Sequence, residues 1–372
     1  MMGSALIPVR TLKPLLAGFV EGPADADAEI SALVLDSRNV VRGALFLGIR
    51  GDRLDGREYV PEAVQAGAAA VVCDAEWKAP DGLAVPCFVV DDLRRKIALI
   101  ANRFYGFPSR VLCIVGLTGT NGKTTVVHLA TEILEAAGYK VASISSLRFK
   151  IGEKEWKNEL KMTMPGRMKI QKFLRQVADA RCQYVVMEVT SEGIKQYRHK
   201  FIDFDVAVFT NLTPEHVESH GGFENYKRAK GELFKSAKTA IINLDDENAE
   251  YFSALCKGKK YGYSVESGSI DIATPLPGKF NLYNALAAAY VGLSQGVDMK
   301  VIKETLGKAK GIPGRMETVI KEPFPVIVDY AHTPDALEKV YKTVKGRHKL
   351  VCVLGAAGGG RDKWKRPQMG KI

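Results

Sequence analysis

One loop in the sequence has the residue types and spacing for phosphate chemistry. Gly119-Thr120-Asn121-Gly122-Lys123-Thr124-Thr125 follows an apolar run at 111–117 and precedes a helical pattern. In such a loop the glycines let backbone N–H groups turn inward around phosphate oxygens. Lys123 can reach the β- and γ-phosphates, Thr124 offers a hydroxyl to Mg²⁺, and the helix N-terminus adds a favourable dipole. The general pattern G-x-x-x-x-G-K-[ST] asks for glycine at position 117, where this chain has Leu117, so the loop is a variant. A chance glycine-rich turn is the plain alternative. The strand–loop–helix context favours nucleotide binding, but does not separate a ligase from a kinase, a GTPase or a motor.

Other chemistry-bearing residues lie at the ends of apolar runs. Glu188 closes YVVMEV, where a carboxylate is placed to hold Mg²⁺ or, equally, to face water at an edge. His216 and His220 are four apart, but Val217 stands where a zinc protease needs Glu, so that chemistry is disfavoured. His220 reads as a polar loop residue. Lys230, on an expected helix at 224–236, is by default a solvated lysine. Asn281 and Asn284 open another helical pattern, where Asn281 reads as an N-cap or as an amide for an adenine edge. Asp329 and His332 follow a short apolar run; a turn carboxylate and an exposed imidazole are their plain alternatives. Arg315 sits at an expected domain junction, free to close on a phosphate or to serve as a linker charge.

The elements that must position these residues alternate. Short strands are expected at 33–35, 44–49, 68–73 and 87–90, then at 111–117, 140–145, 184–189, 204–212 and 239–245, and last at 325–331 and 349–355. Helical stretches separate them, the clearest at 124–138 with Gly138 as its C-cap. This alternation argues an α/β fold with a mostly parallel, doubly wound central sheet. Three blocks are expected: a small α/β block at 1–108, a central nucleotide-binding domain at 109–312, and the start of a Rossmann-like domain at 313–372. A single strand–helix–strand unit is too small to stand alone, so the sequence reads as C-terminally truncated.

The chain has 372 residues, enough for two or three domains of roughly 150 residues. Apolar residues make up 46% and charged residues 26%, which excludes a largely disordered chain. The net charge of +11 suits an anionic partner. No basic stripe interleaved with aromatics accompanies it, so nucleotide substrates explain it better than nucleic acid does. The six cysteines form no C-x-x-C pair, so no zinc ribbon or disulfide framework is indicated; Cys113, inside VLCIVG, reads as a reduced core thiol. With neither a signal peptide nor an apolar run long enough to span a bilayer, a soluble, cytoplasmic monomer without membrane insertion is expected.

Taken together, GTNGKTT, MEVTSEG, TNLTPEHVESHG, YKRAKGELF, GKFNLYNALAA, GIPGRME and VDYAHTPDAL resemble, in order and over nearly the whole chain, the motifs of the Mur ligase family. The block at 35–72 is similar to the uridine-nucleotide domain of the member that adds the third peptide residue. The resemblance implies ATP-dependent amide bond formation in peptidoglycan synthesis, with ATP and Mg²⁺. ATP would phosphorylate the terminal carboxylate of UDP-N-acetylmuramoyl-L-alanyl-D-glutamate, and the amine of a free amino acid, diaminopimelate or lysine, would attack the acyl phosphate. The physics fits: a carboxylate acylates poorly until one oxygen leaves as phosphate, and two anions meet only when cations neutralise them.

By the same resemblance, Lys123 and Lys230 would be catalytic together with His216. Gly119 to Thr125, Asn281, Arg315 and Asp329 would bind ATP. Thr124, Glu188, His216 and a carbamylated Lys230 would ligate metal, which reverses the default reading of that lysine. Ser37 and Arg38 would contact the uridine nucleotide, and Thr163, Ser191, Gln196 and Arg198 the muramoyl peptide. The chain departs from the family pattern at Thr190 and Glu192, where Ser and His are usual, at Met164 in place of Thr, and at Glu215 in place of Asp. Rival readings are a folylpolyglutamate-type or polymer-forming amide ligase, against which Asp36-Ser37-Arg38 argues, and a nucleotide-binding chain without turnover.

Overall fold

In the computed structural model, the described residues are 10–18, 20, 27–51, 54–160, 162–215, 217–346, 349–355 and 362–372. They form two compact units: Met1–Val111 with Pro165–Asp179 and Gln196–Ile202, and Leu112–Met164 with Ala180–Lys195 and Asp203–Ile372. The first unit thus recruits two segments from far along the chain, and 313–372 belongs to the second.

The first unit is built on four parallel strands in the order β1 (Ala32–Val34), β2 (Ala44–Gly48), β3 (Ala68–Asp74), β4 (Cys87–Val90). Every residue of β2 is buried. Successive side chains point to opposite faces, so Leu45 and Leu47 enter one apolar cluster while Ala44 and Phe46 enter another. A parallel sheet covered on both faces therefore reads as a continuous apolar run rather than an alternating one. The helix Arg167–Asp179 packs on Leu93–Phe104. A buried amide pair fixes that contact: Asn102 Nδ2 donates to Gln171 Oε1 at 3.2 Å and to the Phe201 carbonyl at 2.9 Å.

The second unit holds an eight-stranded sheet. Its strands are β5 (Cys113–Thr118), β6 (Val141–Ile144), β7 (Arg148–Ile151), β8 (Lys154–Lys157), β9 (Tyr184–Glu188), β10 (Val206–Phe209), β11 (Thr239–Asn243) and β12 (Lys259–Tyr263). The order is β12-β11-β10-β5-β9-β6-β7-β8. All neighbours from β12 to β6 pair in parallel, and β7 and β8 add an antiparallel hairpin that the sequence reading did not anticipate. The chain runs from β5 outward to β6, returns through β9, then crosses to β10. Open α/β sheets bind ligands outside the carboxyl ends of strands where the winding reverses in this way.

Two helices, Lys123–Ala136 and Lys279–Ser294, cover the central strands and share one apolar core. The second is apolar on most sides, and small residues let it approach closely: a Cβ on Gly292 would stand 2.8 Å from Ile133. Helix Lys123–Ala136 ends as expected, with Gly138 at φ 87° donating to the Glu135 carbonyl.

Beyond position 312 the strands β13 (Glu317–Ile320) and β14 (Val326–Val328) pair antiparallel, followed by the helix Pro334–Val344. The strand expected at 349–355 is not formed: no described strand pairs with it, and Val351 and Val353 are exposed. An apolar run becomes a strand only when a neighbour accepts its backbone N–H and C=O groups. Among the described residues no helix is long and apolar enough to cross a membrane.

Candidate active site

The phosphate loop connects β5 to the helix Lys123–Ala136. Gly119 has φ 148° and Gly122 φ 87°, backbone that side chains rarely adopt. A Cβ on Gly119 would lie 1.9 Å from Thr210 Oγ1, and one on Gly122 would lie 2.2 Å from Asn284 Oδ1. Glycine is therefore required twice over, by conformation and by space. The segment after β10 braces the loop. Asn211 Oδ1 accepts the Asn121 N–H at 2.9 Å, and Thr210 Oγ1 donates to the Asn121 carbonyl at 2.7 Å. Thr120 is buried, with its hydroxyl 3.0 Å from that of Tyr226. Thr125 is buried in the first helical turn.

Two lysines converge on the loop. Lys123 Nζ donates to the carbonyls of Gly119 at 2.9 Å and Thr120 at 2.8 Å, and Lys230 Nζ donates to the same Gly119 carbonyl at 2.8 Å. Lys230 is not the solvated lysine of the default reading; it is 2% exposed on the helix Phe223–Ser236. Burial holds its amine well below the usual lysine range, the Lys123 charge pushes the same way, and Glu215 opposes both. A signal for this lay in the sequence. Tyr226, Lys230, Leu233 and Phe234 share one face at helical spacing, and that face is buried.

Glu188 ends β9, a strand flanked on both sides, in register with Leu117 of β5. It is 2% exposed, so it does not face water. Its Oε1 accepts the Thr124 hydroxyl at 2.8 Å and the Ser146 N–H at 2.8 Å. Arg315 Nη2 reaches Thr124 Oγ1 at 3.4 Å, and the Arg315 guanidinium lies 4.8 Å from the centre of the Tyr330 ring. Asp329 is pinned beside it, accepting from the N–H groups of Met316 at 2.8 Å and Ala331 at 2.7 Å. His332 is not simply exposed: its Nε2 lies 2.8 Å from Oε1 of the buried Glu215.

Asn281 is not an N-cap, because the helix begins two residues earlier and Gly278 occupies the cap position. It is buried, donates to the Pro277 carbonyl at 2.7 Å, and accepts from Asn284, which abuts Gly122. The second unit thus gathers Lys123, Thr124, Glu188, Lys230, Arg315 and Asn281 around one loop. His216 lies outside the described residues. His220 is near-buried, with Nε2 3.7 Å from Glu192 Oε1, and Glu192 also accepts from the Ser219 hydroxyl. Ser191 is buried at the start of the helix Ser191–Lys195, and Met164, next to Thr163, fills the space over Gly193.

The remaining candidates lie in the first unit. Ser37 is buried in a short turn capped by Asp36. Arg38 is exposed and donates from Nε and Nη2 to the two Asp36 oxygens at 2.9 and 2.7 Å. Arg198 is buried and donates to Gln196 Oε1 at 2.6 Å. Sequence reasoning missed Ser146, Tyr226, Thr210 and Asn211. The last two directly follow β10, a placement that could have marked them.

Three family models match the chain: the Mur ligase family catalytic domain at 29–105, the Mur ligase middle domain at 117–269, and the Mur ligase glutamate ligase domain at 314–372. A curated relative from Syntrophomonas wolfei, a UDP-N-acetylmuramoyl-L-alanyl-D-glutamate--2,6-diaminopimelate ligase, is 38% identical over 98% of this chain and 80% of its own. A solved structure of an enzyme of the same name superimposes with a TM-score of 0.75 at 28% identity, over 98% of this chain and 80% of that one. The MurF ligase from Thermotoga maritima, solved with ADP, shares the fold with a TM-score of 0.60 at 19% identity, over 84% of this chain and 74% of its own.

Proposed function

The chain belongs to the Mur ligase family, and from that premise we propose that it forms an amide bond at the expense of ATP. The substrates are UDP-N-acetylmuramoyl-L-alanyl-D-glutamate and a free amino acid, diaminopimelate by the names of its relatives. The reaction is a step of peptidoglycan synthesis. The observation that carries this reading is the convergence of Lys123, Lys230, Thr124 and Glu188 on one phosphate loop.

The donor set fits a hard divalent cation. Glu188 and Thr124 present oxygen from a buried carboxylate and a hydroxyl, the ligand chemistry that Mg²⁺ prefers. His216 and Lys230 as a carbamate complete the proposed set. When bound, Mg²⁺ supplies charge neutralisation between two anionic reactants.

The chain's own residues do the rest. Lys123 and the helix N-terminus place positive charge at the terminal phosphates of ATP. Arg315, Asp329 and Asn281 hold the nucleotide. The substrate carboxylate attacks the γ-phosphate, ADP leaves, and an acyl phosphate remains. The incoming amine then attacks the carbonyl carbon, and phosphate departs with the carboxylate's former oxygen. Burial shifts the Lys230 amine toward its uncharged form, the form that adds to CO₂: the nitrogen bonds to carbon and releases a proton, leaving an anionic carbamate. Ser37 and Arg38 contact the uridine nucleotide, and Thr163, Ser191, Gln196 and Arg198 contact the muramoyl peptide.

Hydroxylamine trapping tests the first half-reaction without prejudging the amino acid. With ATP, Mg²⁺ and UDP-MurNAc-L-Ala-D-Glu, a hydroxamate should form and phosphate should be released. Phosphate release with diaminopimelate or lysine in separate wells then names the amine. Nucleotide binding without hydroxamate would favour the binding-only alternative.

A further inference from the structure

Arg167 opens the helix Arg167–Asp179 in the first unit. Its Nε and Nη2 are buried and meet no hydrogen-bond acceptor among the described residues. Two more guanidinium groups, those of Arg94 and Arg198, stand near enough to repel its charge. Burial, first, and then these two push its proton affinity down to about 10, while Asp92 opposes them.

The neighbours are committed elsewhere. Arg94 Nη2 donates to the Arg50 carbonyl at 2.6 Å, and Arg198 Nη2 donates to Gln196 Oε1 at 2.6 Å. The backbone next to Arg198 is strained: Tyr197 has φ 58°, a left-handed conformation costly for an aromatic residue. Buried guanidinium N–H groups without an acceptor, on a half-buried residue with two like charges nearby, destabilise the fold that holds them. Planar N–H forks of this kind are matched by the paired oxygens of a carboxylate or a phosphate.

We propose that Arg167, with Arg94 and Arg198, forms an oxyanion subsite for a carboxylate or phosphate group of the UDP-linked muramoyl peptide, and that Arg167 is its central donor. The proposal rests on that compound being the substrate. It adds Arg167 and Arg94, neither of which the sequence singled out, to Arg198. The shared chemistry is an oxyanion that accepts parallel N–H donors, and the substrate carries such groups at its diphosphate and at its peptide end.

Isothermal titration of the unmodified protein and of Arg167→Met, with UDP, UDP-MurNAc-L-Ala and UDP-MurNAc-L-Ala-D-Glu, tests it. Arg167→Met should weaken the dipeptide ligand by about tenfold or more, the loss expected for a charge-assisted hydrogen bond. The same variant should melt no lower than the parent without ligand, because a buried, repelled charge is gone. Weakening confined to the dipeptide ligand places the oxyanion on glutamate, and equal weakening of all three places it on the diphosphate. Equal weakening of the dipeptide ligand and UDP-MurNAc-L-Ala with UDP unaffected would overturn the oxyanion subsite, because the part between those ends carries no anionic group in the full substrate. Unchanged affinity for all three, with parent binding intact, would overturn the subsite. No binding by the parent would overturn the substrate reading and the subsite with it. If Arg167→Met fails to fold, Arg167→Lys keeps charge and stem but loses the fork, and carries the same comparison.

Discussion

At the residue scale, burial decides what Lys230 can do. Its amine is depressed below the ordinary value of 10.5 by desolvation and by Lys123. Between that depressed value and 10.5 the unfolded chain binds a proton that the folded chain does not, so stability rises with pH across the window and falls as acid recharges the amine. Lys230→Met should flatten that slope in thermal melts recorded across pH. Lys230→Ala should abolish ligation, and bicarbonate or acetate should partly restore it; full activity without either would remove the carbamate from the mechanism. Lys123→Ala should eliminate ATP turnover, and unchanged turnover would refute the role of the loop.

At the element scale, the strand–loop–helix unit is the part most sensitive to a single methyl group. Gly122→Ala meets both a φ of 87° and a contact of 2.2 Å with Asn284. Gly138→Ala at the far end of the same helix has the same φ of 87° but no atom within 4 Å. The second change should cost only the left-handed backbone term, about 1–2 kcal/mol, and leave ADP affinity unaltered. The first should lower the melting temperature further and remove ADP binding. Calorimetric melts and ADP titrations of the two variants separate conformational strain from loss of the cradle. The elements themselves were legible where apolar runs coincide with two-sided burial, as in β2, β5, β9 and β11. They were not legible at β7, mostly half-buried, or at β8, exposed throughout: β7 is a strand because β6 offers it an edge, and β8 because β7 does. They were misread at 349–355, with which no described strand pairs.

At the scale of the whole molecule, the surplus of 53 basic over 42 acidic residues predicts salt-sensitive binding of anionic substrates. The affinity for UDP-MurNAc-L-Ala-D-Glu should fall as NaCl is raised from 0.05 to about 0.5 M, as the Debye length shortens well below 10 Å. Salt-independent affinity would mean that the net charge plays no part in recognition.

The alternating α/β order, the phosphate loop and the family are legible in the residues alone, because they rest on local spacing: glycines at a strand end, lysine one residue on, apolar runs of strand length. Which side chains lost their water was settled by packing in three dimensions. Lys230, Glu188 and Asn281 each carried an exposed or capping alternative in the sequence. Each is buried because helix and strand packing closes over it, and burial depends on partners more than a hundred positions away for Lys230 and 64 positions away for Glu188. The same holds for Arg167, whose charge became informative only when folding set it among its like.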